Sequence, residues 1–388
     1  MGEIFAEYCT PSSGKNLTKK QAGKTILFIS IFLILVVMLT YMLRTNGDVK
    51  DRLCGFYAEP KDSVDAVIIG SSPVFPCYSS PQIFGETGIV MYPMSTDLQR
   101  PVAQLYYAKE AISKQHPDLL IFEVRMYTGN EHDMTNNMAN SRGATDNLKY
   151  SKNRIDLINA MLDESKIEGG ISDSDKEPYT YYFDIFKYHS NWRSLSRPKQ
   201  WLDALFSYPD PQKGFFITDD VAPMELTDWS DVDESTPIPD PQDEYLTELL
   251  DYLNEEGQDA LFILTPFDET KEQAEMFNYM QERIEESGFT YLDMNDHIDE
   301  IGFDPSTDFK DYGVHTNASG SEKVTSWFEQ YLVDNYDLKD HRGESHYDSW
   351  QEAYEQWQVN QQDAMAVIED HVANGTYAAK TDEAQDEE

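Results

Sequence analysis

The chain has 388 residues, enough to bury one large core or two modest ones. Its 71 acidic and 30 basic side chains give a formal net charge of −41, and no basic stripe is visible along it. A phosphate backbone would be repelled by such a chain, so the composition argues against a nucleic-acid partner. The three cysteines do not make a disulfide scaffold, although Cys54 and Cys77 could pair in an oxidising compartment.

The first element is an uncharged stretch from Thr25 to Leu43, preceded by lysines and followed by Arg44. This stretch is about long enough to cross a bilayer as a helix. It predicts a signal anchor, in which residues 1–24 form a cytoplasmic tail and 25–43 a transmembrane helix. The large C-terminal part is then extracytoplasmic, at the cell membrane. The alternative is a cleaved signal peptide and a secreted protein, but no clear small-x-small cleavage site follows.

A short apolar run comes next, after residues 44–62, which are predicted to be a linker. The run Val64–Ile69 is β-branched and too short for a helix, and it predicts a strand buried on both faces. Gly70 ends the strand, and Ser71 and Ser72 follow at once. A hydroxyl at the carboxyl end of such a strand faces a crevice where ligands bind. Alternatively, the two serines only cap the next helix.

The chain then alternates between strands and helices. Strands are predicted over residues 89–94 and 118–124, with a helix over 99–115 between them, a spacing typical of parallel βαβ units. Residues 125–240 break this rhythm and form an insertion of the kind that shapes a pocket or a partner surface. The insertion includes an aromatic run, residues 179–192. The tyrosines and tryptophans of residues 179–201 are expected to pack in the core, with stacking on a glycan as the alternative. His189 in this run is expected to be packed and hydrogen-bonded.

The alternation resumes after the insertion. Residues 260–266 and 289–293 predict two more strands, and a helix is expected over 318–333. Residues 341–374 predict a helical extension, and the tail 375–388 lacks core-forming residues and is expected to be disordered. The pattern as a whole predicts an α/β fold with a mostly parallel, five-stranded sheet.

A serine after the first strand and an Asp/His pair after the last strand can meet at the same sheet edge. Nucleophilic catalysis needs this convergence, because an imidazole must take the hydroxyl proton and a carboxylate must orient the imidazole. The chain order would be Ser72, Asp311, His315. The alternative for His315 taken alone is an ordinary loop histidine.

Three motifs carry a resemblance to a known superfamily. They are Gly-Ser-Ser at 70–72, Tyr-Pro-Met-Ser-Thr at 92–96 and Asp-Phe-Lys-Asp-Tyr-Gly-Val-His-Thr-Asn-Ala-Ser-Gly at 308–320. In this order they resemble the SGNH (GDSL-like) hydrolases, and most of all the membrane-anchored branch that is similar to the DltD protein of lipoteichoic acid D-alanylation. The segment Phe-Lys-Tyr-His-Ser-Asn-Trp, residues 186–192, also resembles this branch. The likeness covers residues 60–340, in pieces.

The resemblance implies a three-layer α/β/α, flavodoxin-like domain over residues 63–340. It also implies that Ser72 is the nucleophile and His315 the general base. The acid of the family lies three residues before its histidine, where this chain has Tyr312, so Asp311 is the first choice and Asp308 the alternative.

The oxyanion hole departs from the family pattern as well. The block Gly-x-Asn-Asp that follows the third strand in the family is replaced by Glu123-Val-Arg125. Backbone N–H groups near Ser72 and Ser95 are therefore the candidate oxyanion donors. Arg125 is either a charge on the substrate side or part of an ordinary ion pair.

The implied activity is acyl transfer or ester hydrolysis on O-acyl groups of a cell-envelope polymer, through an acyl-enzyme on Ser72. The expected partners are a cell-surface glycan or teichoic-acid-like polymer and a multi-span membrane O-acyltransferase. No recognisable nucleotide or metal motif occurs, so no cofactor and no metal are expected. The alternative is a catalytically inactive protein that binds a glycan or scaffolds an envelope complex, which the displaced aspartate and the missing asparagine block favour.

Overall fold

The computed structural model describes residues 18–44, 47–129, 138–163, 178–194 and 207–379. The predicted cytoplasmic tail up to residue 17, the last nine residues and parts of the insertion therefore lie outside the described residues. Within the described part, the strands are β1 (Ala66–Gly70), β2 (Met91–Ser95), β3 (Leu119–Glu123), β4 (Ala260–Leu264) and β5 (Thr290–Asp293). The helices are α1 (Lys19–Leu43), α2 (Asp48–Ala58), α3 (Val74–Cys77), α4 (Ser80–Thr87), α5 (Pro101–Gln115), α6 (Met138–Asp146), α7 (Lys152–Met161), α8 (Tyr179–Tyr182), α9 (Ile185–Tyr188), α10 (Asp240–Glu256), α11 (Lys271–Glu286), α12 (Ile298–Ile301), α13 (Ala318–Asn335) and α14 (Asp348–Asn374).

The five strands form one sheet in the order β2-β1-β3-β4-β5. All neighbouring pairs are parallel, which confirms the predicted α/β fold with a mostly parallel, five-stranded sheet. Successive side chains of a strand point to opposite faces, and β1 shows how both faces are used. Val67 and Ile69 belong to one hydrophobic cluster, and Ala66 and Ile68 belong to another. Both faces of the sheet are thus buried, as its apolar sequence requires.

The segment 44–62 differs from the predicted linker. Residues Asp48–Ala58 form α2, in which Leu53 and Phe56 are buried in the core cluster. Arg52 is also buried, and its guanidinium donates to the carbonyl oxygens of Gly214 and Ser95, at 2.9 Å in each case. These acceptors lie far away in the sequence, so the local pattern gave no sign that the charged side chains of this segment would be buried.

The C-terminal extension is helical, as predicted, and it packs on the domain. Ala364 and Ile368 of α14 form a small cluster with Val221 and Ala318. The start of the tail corrects the expectation of disorder from residue 375 onward, because the Ala378 N–H donates to the carbonyl oxygen of Val221 at 2.9 Å. A neighbouring backbone holds this stretch, which needs no apolar side chains of its own.

Cys54 and Cys77 are both buried and are not bridged to each other. Cys54 packs beside Tyr41 in one cluster, whereas Cys77 lies with Ile68 in another. The two cysteines belong to different hydrophobic clusters, so the possible bridge between them is not formed.

The helix α1 is long and apolar enough to cross a membrane, with a mean hydropathy of 2.9 over its most apolar window. Most of its apolar side chains are exposed, among them Phe28 at 70% and Leu33 at 55%. Its C-terminal turns are different, since Tyr41 and Leu43 are buried against the rest of the protein. One part of the helix is therefore fixed to the domain while the other projects from it.

Candidate active site

The candidate site begins at the carboxyl end of β1. Gly70 has no room for a side chain, because a Cβ atom there would lie 2.7 Å from both Glu123 Cβ and Val74 Cγ2. The chain passes this close contact and turns into α3, with Ser71 buried and Ser72 partly exposed. The strands β2 and β3 lie on either side of β1. Ser72 therefore lies at the point where the strand order reverses, which is where open α/β sheets bind ligands.

The loop before α13 carries the other two residues of the candidate site, Asp311 and His315. Phe309 and Thr316 pair in an antiparallel bridge, and the Lys310 N–H donates to the His315 carbonyl oxygen at 3.0 Å. Asn317 holds the base of this loop, since its amide nitrogen donates to the Thr307 carbonyl oxygen at 2.8 Å. The side-chain oxygen of Asn317 also caps α13 by accepting from two backbone N–H groups of the first turn. The loop is thus fixed at both ends.

Ser72, His315 and Asp311 form a continuous hydrogen-bonded chain. The Oγ atom of Ser72 lies 2.7 Å from Nε2 of His315, and Nδ1 of His315 lies 2.6 Å from Oδ2 of Asp311. The other carboxylate oxygen of Asp311 accepts from the His315 backbone N–H at 2.7 Å. The carboxylate therefore holds both the ring and the backbone of the histidine. This is the arrangement in which an imidazole can take a proton from a serine hydroxyl.

The loop also accommodates the extra residue between the aspartate and the histidine. Tyr312 and Gly313 both have positive φ angles, 60° and 98°, so the chain turns left-handed twice between Asp311 and His315. A side chain at Gly313 would also be blocked, because its Cβ would lie 2.7 Å from Cβ of Asp268. The two left-handed residues bring Asp311 back to the imidazole from four positions away.

Asp308, the alternative acid, has other partners. It is fully buried, and its carboxylate accepts from Lys323 Nζ at 2.6 Å, Ser319 Oγ at 2.7 Å and the Asp304 N–H at 2.7 Å. These bonds tie the start of the loop to α13. The structure therefore brings Asp311 to His315, whereas Asp308 is engaged in holding the loop.

The electrostatics of the pair suit a neutral imidazole. Burial lowers the pKa of His315 below its usual value of 6.5, against the opposing effect of Asp311, and the charges of Arg125 and Lys310 lower it further. Burial alone would raise the pKa of Asp311, but the hydrogen bond and charge of His315 outweigh it, so this pKa is lowered. At neutral pH the carboxylate is ionised and the imidazole is free to accept a proton.

Arg125 has a place at the site that the sequence left undecided. It is mostly buried, and its guanidinium donates to the carbonyl oxygen of Val314 at 2.9 Å. Its guanidinium carbon lies 4.6 Å from the centre of the Phe267 ring. Arg125 thus connects the end of β3 to the residue before His315. The position of Arg125 just after β3, at the switch point of the sheet, indicated that this residue could lie at the site. The sequence did not indicate its contact with Val314.

The two candidate oxyanion positions lie at the same sheet edge. Ser95 ends β2 and is in register with Gly70 of β1. It is fully buried, and its carbonyl oxygen is occupied by Arg52. The roles of the Ser72 and Ser95 N–H groups stay predictions. His189 lies elsewhere, exposed at the start of the short 3₁₀ helix His189–Ser194, where its Nδ1 is 2.9 Å from the Phe186 carbonyl oxygen. It is hydrogen-bonded as expected but not packed.

Two comparisons with known proteins do not assign this chain to a family. Neither the scan against protein-family models nor the search of the curated proteins finds a match for this chain. The interpretation of the site therefore rests on the three hydrogen-bonded residues and on the sheet edge that holds them.

Proposed function

We propose that the protein is a membrane-anchored serine acyltransferase or esterase that acts on O-acyl groups of a cell-envelope polymer. The observation that carries the proposal is the chain of short contacts from Ser72 through His315 to Asp311. The strand order β2-β1-β3-β4-β5, which is that of flavodoxin-like folds, supports a three-layer SGNH-type domain of the DltD-like branch.

The reaction has two steps in this proposal. Ser72 Oγ attacks the carbonyl carbon of a donor ester while its proton passes to Nε2 of His315, and the bond to the leaving alcohol then breaks. The departing oxygen takes the proton back from His315, which leaves an acyl group on Ser72. An acceptor hydroxyl or water then attacks the acyl-enzyme with His315 again as the base. Asp311 orients the imidazole and stabilises its charged form throughout.

In the same proposal, α1 anchors the protein in the membrane and the domain that holds Ser72 is extracytoplasmic. An anchored, extracytoplasmic site suits a substrate that is itself fixed in the envelope, such as a glycan or a teichoic-acid-like polymer. The resemblance adds a multi-span membrane O-acyltransferase as the partner that supplies or receives the acyl group. No cofactor takes part in the chemistry described above.

The second candidate is an inactive scaffold or glycan-binding protein. Two observations favour it. Glu123 and Arg125 occupy the positions at which the SGNH hydrolases have an oxyanion asparagine, and the Arg125 guanidinium donates to the Val314 carbonyl oxygen. Such a protein would keep the fold without needing a reactive Ser72.

A fluorophosphonate probe separates the two candidates. The full chain in detergent is treated with the probe, and the adduct is mapped by mass spectrometry. An acyl-transfer enzyme is labelled on Ser72, and the Ser72→Ala and His315→Ala variants lose the label while keeping their thermal stability. Ser71→Ala is the matched control, since Ser71 is the buried neighbour, and it should keep the label. Absence of labelling in the folded wild-type protein would favour the scaffold.

A further inference from the structure

Three large aromatic side chains of the insertion are exposed close to the end of α1. Phe183, Phe186 and Trp192 are exposed by 60%, 58% and 62%. The sequence led us to expect core packing for the tyrosines and tryptophans of residues 179–201, and Tyr181 does pack that way. Tyr179 and Trp192 are exposed instead. The three most exposed rings, those of Phe183, Phe186 and Trp192, are here called the aromatic face. Exposed aromatic residues in one short segment mark an interaction surface rather than chance exposure.

The aromatic face is held rigidly beside the membrane helix. The side-chain nitrogen of Asn191 donates to the Leu43 carbonyl oxygen at 2.9 Å. Asp184 lies between Phe183 and α9, fully buried, and its carboxylate accepts from Arg44 Nε at 2.6 Å and from Arg154 at 2.7 Å. Arg44 directly follows α1. The segment that carries the aromatic face is therefore clamped to the last turn of this helix.

The length of α1 fixes where that last turn lies. The uncharged stretch from Thr25 to Leu43 spans about 28 Å as a helix, close to the thickness of the hydrocarbon layer of a bilayer. With Lys24 at one boundary, Leu43 lies at the other. Side chains that surround Leu43 are then at the depth of the lipid headgroups, where tryptophan and other aromatic rings are preferred.

The charges of the segment fit a lipid surface as well. Over residues 178–193 the exposed charged side chains are Lys187 and Arg193, both basic, and the one acidic residue, Asp184, is buried. The guanidinium carbon of Arg193 lies 5.7 Å from the centre of the Trp192 ring. In a chain with a net charge of −41, this is a local basic site of the kind that anionic headgroups attract.

We propose that the aromatic face of Phe183, Phe186 and Trp192 inserts into the bilayer interface beside α1 and forms a second membrane contact of this protein. Lys187 and Arg193 lie at the level of the lipid phosphates. The domain is thereby held in one orientation on the membrane instead of pivoting about a single helix. This inference rests on the membrane anchor of the proposed function, but not on the chemistry of Ser72.

Spin labels on the full chain test the inference. In a Cys9→Ser background, in which Cys54 and Cys77 are buried, single nitroxides are placed through Phe186→Cys and Trp192→Cys. The protein is reconstituted into vesicles of phosphatidylcholine and phosphatidylglycerol, and collisions with oxygen and with a water-soluble nickel chelate are compared. Val359→Cys is the matched control, because Val359 is an apolar residue of α14 that is exposed by 54%. Leu33→Cys reports on the anchor itself.

The ratio of oxygen to nickel accessibility should be several-fold higher at 186 and 192 than at 359, and should stay below the ratio at 33, because the aromatic face lies at the bilayer interface and residue 33 lies near the bilayer centre. Lys187→Gln combined with Arg193→Gln should lower the ratio at 186. A ratio at 186 and 192 equal to that at 359 would overturn the inference, and so would protection from both reagents, which would indicate a protein partner. If the label at 33 is also nickel-accessible, the anchor fails, and the inference fails with it while the serine chemistry is untouched.

Discussion

The Tyr312 hydroxyl donates a hydrogen bond to the carbonyl oxygen of Ala378 at 2.7 Å. Tyr312 follows Asp311 directly and has a left-handed backbone. Because Ala378 belongs to the segment after α14, this hydrogen bond connects that segment to the loop that holds the candidate acid. Removing such a bond costs about 0.5–1.5 kcal/mol, which corresponds to roughly two- to tenfold in a rate. We therefore expect Tyr312→Phe to slow fluorophosphonate labelling of Ser72 by about that factor.

Deletion of residues 376–388 should slow the labelling similarly, whereas deletion of 380–388 should leave it unchanged, because Ala378 is then kept. Equal labelling rates for the two deletions would show that the contact with Ala378 does not support the loop. Thermal unfolding of each variant separates a slower site from a partly unfolded chain.

The two aspartates of the loop should behave differently. Asp311→Asn removes the carboxylate that orients the imidazole, and we expect the labelling rate to fall by a factor on the order of 10³ to 10⁴ at nearly unchanged stability. Asp308→Asn breaks buried bonds to Lys323 and Ser319, so it should lower the melting temperature, and it should slow the labelling of the folded protein far less than Asp311→Asn does. If instead Asp308→Asn alone stopped the labelling, the assignment of Asp311 would be wrong.

The pH dependence of labelling should follow His315. Its imidazole must be neutral to accept the Ser72 proton, and its pKa lies below 6.5, so the rate should stay constant around neutral pH and fall only at more acidic pH. Asp311 raises this pKa, so the midpoint of the Asp311→Asn variant should move to lower pH. Arg125 lowers it, so Arg125→Gln should move the midpoint to higher pH. Shifts in the same direction for both variants would contradict this electrostatic account.

The ion pairs of Asp184 should be important for stability. Asp184→Asn would leave Arg44 and Arg154 buried with less opposite charge, which costs about 3–5 kcal/mol when a buried pair is broken. Asp156→Asn is the matched control, because the pair of Asp156 with Lys152 is exposed and worth at most about 1 kcal/mol. Thermal unfolding of the full chain in detergent should show a clear loss for the first variant. Equal melting temperatures for the two variants would refute the clamp.

The sequence was informative where the chemistry depends on local pattern. The run Val64–Ile69 predicted β1, and the serine that follows predicted the position of Ser72 at the sheet edge. The pair of Asp311 and His315 was also visible, although its spacing seemed one residue too long. The missing information was the backbone, since two consecutive left-handed residues, Tyr312 and Gly313, shorten the path.

Other features depend on residues distant in sequence. The burial of α2 relies on carbonyl groups of Ser95 and Gly214, which accept from Arg52. In the same way, the segment after α14 is held by the Val221 carbonyl oxygen, which accepts from the Ala378 N–H. Composition suggests a linker and a disordered tail at these places, because charged and polar residues are usually solvated. Tertiary contacts outweigh that tendency here, and no local pattern reports them.

The central claim is that Ser72 forms an acyl-enzyme with the help of His315. The most direct measurement is a short incubation of the full chain with p-nitrophenyl acetate, followed by an acid quench and peptide mass spectrometry. The account predicts one acetyl group on Ser72 in the wild-type protein and in Ser71→Ala. It predicts none at that peptide in His315→Ala. A wild-type peptide that stays unmodified at Ser72, or one acetylated equally in His315→Ala, would contradict the account.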